Sequence, residues 1–126
     1  MANELILIVE DNEKNLKLAR DVLKFHGFRT IEAPDGETGV RLAGEQLPQL
    51  ILMDIQLPGI DGIETLRRIR SEDRTKGIPA VALTASVMSG DRERFDQAGF
   101  DGFISKPIDV KAFPGQVRGY LDARPR

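Results

Sequence analysis

The sequence predicts an α/β fold in which five strands alternate with five helices and form one parallel sheet that is covered by helices on both faces. Five short apolar runs recur at fairly even intervals along the chain. Stretches in which apolar residues follow helical spacing lie between these runs. Strands that alternate with helices form βαβ units, whose right-handed crossovers make the strands parallel. We therefore expect a doubly wound (βα)5 architecture.

The five apolar runs are the predicted strands, because their lengths suit strands. They are Leu5 to Val9, Phe28 to Ala33, Leu50 to Met53, Ala80 to Leu83, and Phe103 to Ile104 with its flanks. The third run, and most of the fourth, are apolar without alternation, which is typical of parallel strands covered on both faces. These two strands should form the middle of the sheet.

The segments between the strands carry apolar residues at helical spacing. The spacing is clearest in the first, third and last segments, at Leu16, Ala19 and Leu23, at Ile63, Leu66 and Ile69, and at Phe113, Val117 and Leu121. His26-Gly27 predicts the end of the first helix, while Asp35-Gly36 and Gly59 to Gly62 predict turns.

The last predicted helix contains residues that oppose helix formation. Pro114 removes a backbone donor, and Gly115 and Gly119 each cost about 1 kcal/mol relative to alanine. We therefore expect this helix, within Asp109 to Ala123, to start late or to be kinked.

Length and composition limit the classes of function. At 126 residues the chain is the size of one compact domain, so we expect a single domain over 1–126, with a core from about 4 to 123 and no effector domain. A net charge of -2 provides no basic field for nucleic acid or an anionic membrane. The sequence has no cysteine and no long apolar run, so it predicts neither thiolate chemistry nor a membrane span, and the cytoplasm is the expected location.

Polar residues follow four of the predicted strands, at the edge where open parallel sheets bind ligands. These residues are Glu10, Asp11 and Asn12 after the first strand, Asp54 after the third, Thr84 and Ala85 after the fourth, and Lys106 with Pro107 after the fifth. We therefore expect three carboxylates, one hydroxyl and one ammonium group to converge at one edge of the sheet.

Three carboxylates that lie close together repel one another, so they need raised pKa values or a compensating cation. Oxygen ligands of this kind suit Mg²⁺ or Mn²⁺ rather than zinc, and Mg²⁺ leaves positions open for phosphate oxygens. A phosphoryl donor is therefore the expected substrate. Glu10 and Asp11 form a chelating pair, which leaves Asp54, at the end of the most apolar strand, as the expected nucleophile for an acyl phosphate.

Five short motifs follow one another in a characteristic order. They are Val-Glu-Asp-Asn at 9–12, Leu-Met-Asp-Ile-Gln-Leu-Pro-Gly at 52–59, Asp-Gly at 61–62, Leu-Thr-Ala at 83–85 and Ser-Lys-Pro at 105–107. With these motifs the chain resembles, over essentially its whole length, the CheY-like receiver domains of bacterial response regulators. It resembles in particular the DivK-type single-domain regulators. The resemblance implies a flavodoxin-like sheet with strand order 2-1-3-4-5.

The resemblance implies a metal role for four residues. Asp54 would be the phosphoacceptor and would bind Mg²⁺, or Mn²⁺, together with Glu10, Asp11 and the backbone carbonyl of Gln56.

The resemblance also implies which residues hold the phosphoryl group. Thr84 and Lys106 would each bind a phosphoryl oxygen, with Ala85 in a supporting position. Pro107 would follow a cis peptide bond that directs Lys106 into the site.

A two-state switch is a further implication of the resemblance. Thr84 would move toward the new phosphate, and the aromatic side chain of Phe103 would fill the vacated space. The phosphoryl source would be a histidine kinase or a phosphotransfer histidine protein. A downstream protein would bind the fourth helix, fifth strand and fifth helix, with no direct contact to nucleic acid or membrane. Such a protein is not a conventional enzyme, although it catalyses its own aspartyl phosphorylation and is expected to catalyse its dephosphorylation.

Other interpretations of these residues stay open. Asp11 or Asn12 could serve only to cap the first helix, Phe103 could be a core residue, and His26 could interact with the last carbonyls of the first helix. A metal-dependent phosphatase is the alternative enzyme, but the Asp-x-Asp motif of haloacid-dehalogenase-type enzymes is missing after the first strand. A flavodoxin-like cofactor module is a third class, but neither glycine-rich nucleotide loop is present.

Overall fold

The computed structural model describes residues 3–85 and 91–123, apart from the side chain of Arg92. Strands and helices alternate throughout this part of the chain. Their bounds are β1 Leu5–Val9, α1 Glu13–Phe25, β2 Arg29–Ala33, α2 Gly36–Gln46, β3 Leu50–Asp54, α3 Gly62–Arg70, β4 Ala80–Thr84, α4 Asp91–Ala98, β5 Gly102–Ser105 and α5 Phe113–Asp122.

The five strands form one parallel sheet in the order β2-β1-β3-β4-β5. This order confirms the predicted fold class and the central position of β3. All five residues of β3 and β4 are buried, as their unbroken apolar runs predicted, and all five residues of β1 are buried as well. No helix within residues 3–85 and 91–123 combines the length and the hydropathy that a membrane crossing needs.

Side-chain alternation along the strands divides the core between the two faces of the sheet. Leu7 and Val9 pack with residues of α2, α3 and α4, which cover what we call the α3 face. Ile6 and Ile8 pack with residues of α1 and α5, which cover the α1 face. Each face therefore has its own apolar cluster, and β1, β3 and β4 are shielded from water on both sides.

Asparagine and aspartate residues cap three of the helices. The side chains of Asn12, Asp35 and Asp61 accept a hydrogen bond from the backbone N–H three residues later, at the start of α1, α2 and α3. Asn12, rather than Asp11, therefore caps α1. Asp35-Gly36 was expected to form a turn between elements, but Asp35 is the cap of α2 and Gly36 its first residue.

The fifth helix begins at Phe113, so the late start expected from its sequence is confirmed. Pro114 lies in the first turn, where the backbone donor it lacks has no partner within the helix. Phe113 and Val117 are fully buried on the α1 face. Proline thus shortens α5 at its start without removing its apolar contacts.

The turn between β3 and α3 brings two backbone segments unusually close. Gly62 donates its N–H to the carbonyl of Ile55 at 2.9 Å. A Cβ atom at Gly62 would overlap the backbone carbonyl of Asp54 and would lie 2.9 Å from the Cα atom of Ile55. Only glycine allows this approach, which fixes the loop directly after Asp54.

We predict that Gly62→Ala lowers the free energy of unfolding by about 1–3 kcal/mol, because a methyl group cannot enter this space without moving the backbone. Urea denaturation would measure the loss. Gly44→Ala is the matched control, since a Cβ atom at Gly44 in α2 meets nothing within 4 Å. The control should raise the free energy by up to about 1 kcal/mol through helix propensity. Equal effects of the two substitutions would contradict the prediction.

Candidate functional site

The carboxyl ends of the strands bring the predicted site residues to one edge of the sheet. Glu10 follows β1, Asp54 ends β3, Thr84 ends β4, and Lys106 follows β5. The backbone hydrogen bonds continue past the strand ends, because Glu10 donates its N–H to the carbonyl of Ala33 and Lys106 donates its N–H to the carbonyl of Thr84. This pairing holds both residues in sheet register.

Three carboxylates meet at this edge. Oxygen atoms of Glu10, Asp11 and Asp54 all lie within 4.8 Å of one another. Glu10 is 2% exposed and Asp54 is 5% exposed, whereas Asp11 is exposed to solvent. The cluster thus has two buried members and one member that opens to water, as a site for an exchangeable cation requires.

Lys106 lies between the two buried carboxylates. Its Nζ atom is 3.1 Å from Glu10 Oε1 and 3.3 Å from Asp54 Oδ2. Burial acts to lower the pKa of Lys106, but the hydrogen bond to Glu10 and the charges of Asp54 and Glu10 outweigh it and raise the pKa. The lysine is therefore a permanent cation in the site.

Glu10 has an unusual protonation equilibrium. Burial, followed by the hydrogen bond and charge of the neighbouring Asp54 carboxylate, raises the pKa of Glu10 to about 7. The N–H of Asn12 and the ammonium group of Lys106 act in the opposite direction without cancelling this effect. Lys106 thus offsets only part of the effect that burial and the neighbouring Asp54 have on Glu10.

Backbone N–H groups fix the orientation of the two buried carboxylates. Asn12 donates its N–H to Glu10 Oε2 at 3.2 Å, and Gln56 donates its N–H to Asp54 Oδ1 at 3.1 Å. The family resemblance implied a metal-binding role for the Gln56 carbonyl but no role for the Gln56 N–H. Such contacts depend on the loop conformation, so residue type carries no signal for them. The metal role of the Gln56 carbonyl stays a prediction.

The site residues line an open cavity of about 470 Å³. The predicted residues on its wall are Glu10, Asp11, Asp54, Gln56, Thr84, Ala85 and Lys106. Asp91, Arg94 and Phe95 of α4 complete another part of the wall, and sequence reasoning missed all three. No motif marks them, because they reach the cavity only through the way α4 packs on the sheet.

The predicted switch residues share one face of the sheet. Phe103 pairs with Ala82 and Ser105 with Thr84 across β4 and β5. Because alternate residues of a strand point the same way, Thr84 and Phe103 both lie on the α3 face. Phe103 is only partly buried against the apolar cluster there. Pro107 does not line the cavity, but it follows a cis peptide bond after Lys106, as the resemblance implied.

The donor set fits a hard divalent cation. Carboxylate oxygens supply the cluster, and cysteine and histidine do not belong to it. Mg²⁺ and Mn²⁺ prefer such oxygen ligands, and Lys106 supplies a single positive charge beside these three carboxyl groups. The residues present therefore fit a magnesium or manganese ion, which Glu10, Asp11 and Asp54 would hold.

Comparison with known proteins places the chain in one family. The model of the response regulator receiver domain matches residues 6–118. The chain is 45% identical over 116 residues to the polar-differentiation response regulator DivK of Brucella anthropi, covering 92% of this chain and 94% of the relative.

Solved structures show the same relationship. The receiver domain of a sensor histidine kinase from Pseudomonas aeruginosa PAO1, which has a magnesium ion coordinated in its active site cleft, is 34% identical, with a TM-score of 0.88 and coverage of 96% of this chain and 99% of that chain. The Mn²⁺-bound form of response regulator Rcp1 is 28% identical, with a TM-score of 0.81 and coverage of 98% and 99%. On its sequence, its fold and its acidic edge, this chain belongs to the response regulator receiver domain family.

Proposed function

We propose that this protein is a phosphorelay receiver that accepts a phosphoryl group on Asp54 with the help of Mg²⁺ and then changes conformation to control a partner protein in the cytoplasm. The observation that carries the proposal is the position of Asp54. Its carboxylate is buried at the centre of the sheet edge, beside two further carboxylates and the ammonium group of Lys106, and it faces an open cavity. The phosphoryl source would be a histidine kinase or a phosphotransfer histidine protein.

The chemistry requires little beyond this arrangement. A carboxylate oxygen of Asp54 attacks the phosphorus atom in line with the P–N bond of a phosphohistidine. The new P–O bond forms as the P–N bond breaks, and the imidazole nitrogen leaves with its electron pair. A bound Mg²⁺ would neutralise charge on the transferring group. Lys106, which already lies 3.3 Å from Asp54, would neutralise a further oxygen of that group.

The geometry of β4 and β5 supports the proposed switch. Thr84 is the last residue of β4 and lines the same cavity as Asp54, so a group added to Asp54 would enter the space beside Thr84. Phe103 lies on the same face of the sheet as Thr84. It stands in β5 two residues before Ser105, the residue that pairs with Thr84. Movement of Thr84 toward a phosphoryl oxygen would open space on the side where Phe103 packs. A partner that binds only this rearranged state would read the signal.

We predict that acetyl phosphate with Mg²⁺ adds one phosphoryl group to the protein. Intact-mass spectrometry would show a single adduct that requires the metal ion. Asp54→Asn removes the nucleophilic oxygen but keeps the size of the side chain, so this control should show no adduct. A folded protein that gains no adduct with either donor class, acetyl phosphate or a phosphorylated histidine protein, would contradict the proposed function.

A further prediction concerns the pH dependence of stability and follows from the pKa of Glu10. The pKa of Glu10 is about 7 in the folded protein against an ordinary value of 4.5. Between these two pH values the folded state therefore keeps a proton on Glu10 that the unfolded state has lost. The free energy of unfolding of the metal-free protein should therefore fall as pH rises from about 5 to 7, by on the order of 1 kcal/mol per pH unit, and then level off. Urea denaturation across this range would measure it.

Glu10→Gln is the control for the pH prediction, because it removes the titrating group and keeps the shape. The difference between wild type and variant isolates Glu10 from other groups. Mg²⁺ binds the ionised carboxylate, so its stabilising effect on the wild type should grow over the same pH range. A wild type and a variant with parallel pH profiles would show that Glu10 does not titrate in this window.

A further inference from the structure

The cavity at the site has a second basic wall residue that the family motifs do not include. Among the described residues, the basic side chains that line the cavity are Lys106 and Arg94. Lys106 comes from the end of β5, and Arg94 comes from the first turn of α4. The two cations therefore approach the cavity from different elements.

The charges of the cavity wall show why a second cation matters there. Glu10, Asp11, Asp54 and Asp91 all line the cavity, and Lys106 is already paired with two of these carboxylates. Phosphorylation of Asp54 would replace the single charge of the carboxylate by the roughly −1.5 to −2 charges that a phosphoryl group carries at pH 7, so the local negative charge would rise further. A bound divalent ion and Lys106 would offset part of that charge.

The present contacts of Arg94 are ones that it can exchange. Its Nη1 atom lies 3.8 Å from Asp91 Oδ1, which is beyond hydrogen-bond distance, and its side chain is 57% exposed. Its Cζ atom lies 5.6 Å from the centre of the Phe95 ring, and Phe95 is buried. The Phe95 ring therefore contacts the guanidinium group itself at the cavity wall, in a cation–π contact that hydrogen bonds to a new anion can accompany.

We propose that Arg94 binds the phosphoryl group on Asp54 as a second cationic contact, in addition to Lys106, and stabilises the phosphorylated state. This inference rests on the proposed function. A guanidinium group suits the role, because its planar set of donors matches two phosphate oxygens at once. Arg94 would exchange its loose pairing with Asp91 for the phosphoryl oxygens, and would thereby draw the start of α4 toward the site.

The test measures the affinity of the Mg²⁺-loaded protein for beryllofluoride, a tetrahedral mimic of a phosphoryl group that adds to a carboxylate. Fluorine NMR would give the Kd without any turnover. Arg94→Gln, which keeps most of the side chain's length and removes the charge, should weaken binding by about five- to tenfold. Arg94→Lys should recover part of this loss. The half-life of the acyl phosphate should change in the same order.

Arg41→Gln in α2 is the matched control. Arg41 is 59% exposed, which is close to the exposure of Arg94, and it pairs with Glu45 within its own helix. It does not line the cavity, and its substitution removes the same formal charge. The Kd of this variant should stay within about twofold of the wild type, because Arg41 makes no contact in the cavity and salt screens an exposed charge outside it.

The outcomes separate the inference from the proposed function. The role of Arg94 would be overturned, and the proposed function left intact, if the wild type binds beryllofluoride and Arg94→Gln has the same Kd. Equal weakening of Arg94→Gln and Arg41→Gln would have the same meaning. A folded wild type that takes up neither beryllofluoride nor a phosphoryl group would overturn the proposed function and this inference together. A loss confined to Arg94→Gln and partly restored by lysine is the expected result.

Discussion

The contact between Lys106 and two buried carboxylates is the interaction on which the site depends. Glu10 and Asp54 are almost fully buried, and an ionised carboxylate is costly to bury unless a cation or hydrogen-bond donor accompanies it. Lys106 supplies a positive charge 3.1 Å from one and 3.3 Å from the other. It compensates two carboxylates with one charge, so the site stays short of positive charge, and this deficit is what favours a divalent cation.

This charge deficit is tolerable because the surrounding fold is rigid. Strands β1, β3 and β4 are buried along their whole length, and helices cover both faces of the sheet. Gly62 holds the loop after Asp54 against the backbone, and N–H groups of Asn12 and Gln56 orient the carboxylates. Apolar packing therefore stabilises the domain, while the polar edge can remain incompletely compensated and so responsive to a bound ion or anion.

The sequence predicted the sheet and most of the residues that meet at its edge, because both depend on local patterns. Unbroken apolar runs marked the central strands, and residues at their ends marked the edge. These patterns gave a wrong or incomplete result where a backbone contact or the packing of a helix determines the position of a residue. Phe28 was predicted in the second strand, but its N–H bonds to the carbonyl of Leu23 and closes α1, so β2 begins at Arg29. Arg94 was missed because only the packing of α4 brings it to the cavity.

The division of the core explains how a change at the site would reach the surface. Thr84 and Phe103 lie on the α3 face, which α4 covers, whereas α5 packs on the opposite face. Arg118 of α5 donates two hydrogen bonds to Glu4 at 2.7 and 3.0 Å, which ties α5 to the start of the sheet. A rearrangement of the Phe103 side chain would therefore meet α4, while the backbone carbonyl of Phe103 accepts a hydrogen bond from Tyr120 of α5 at 3.3 Å. Because both helices beside β5 contact Phe103, we expect a partner to recognise a change at α4 and α5 together.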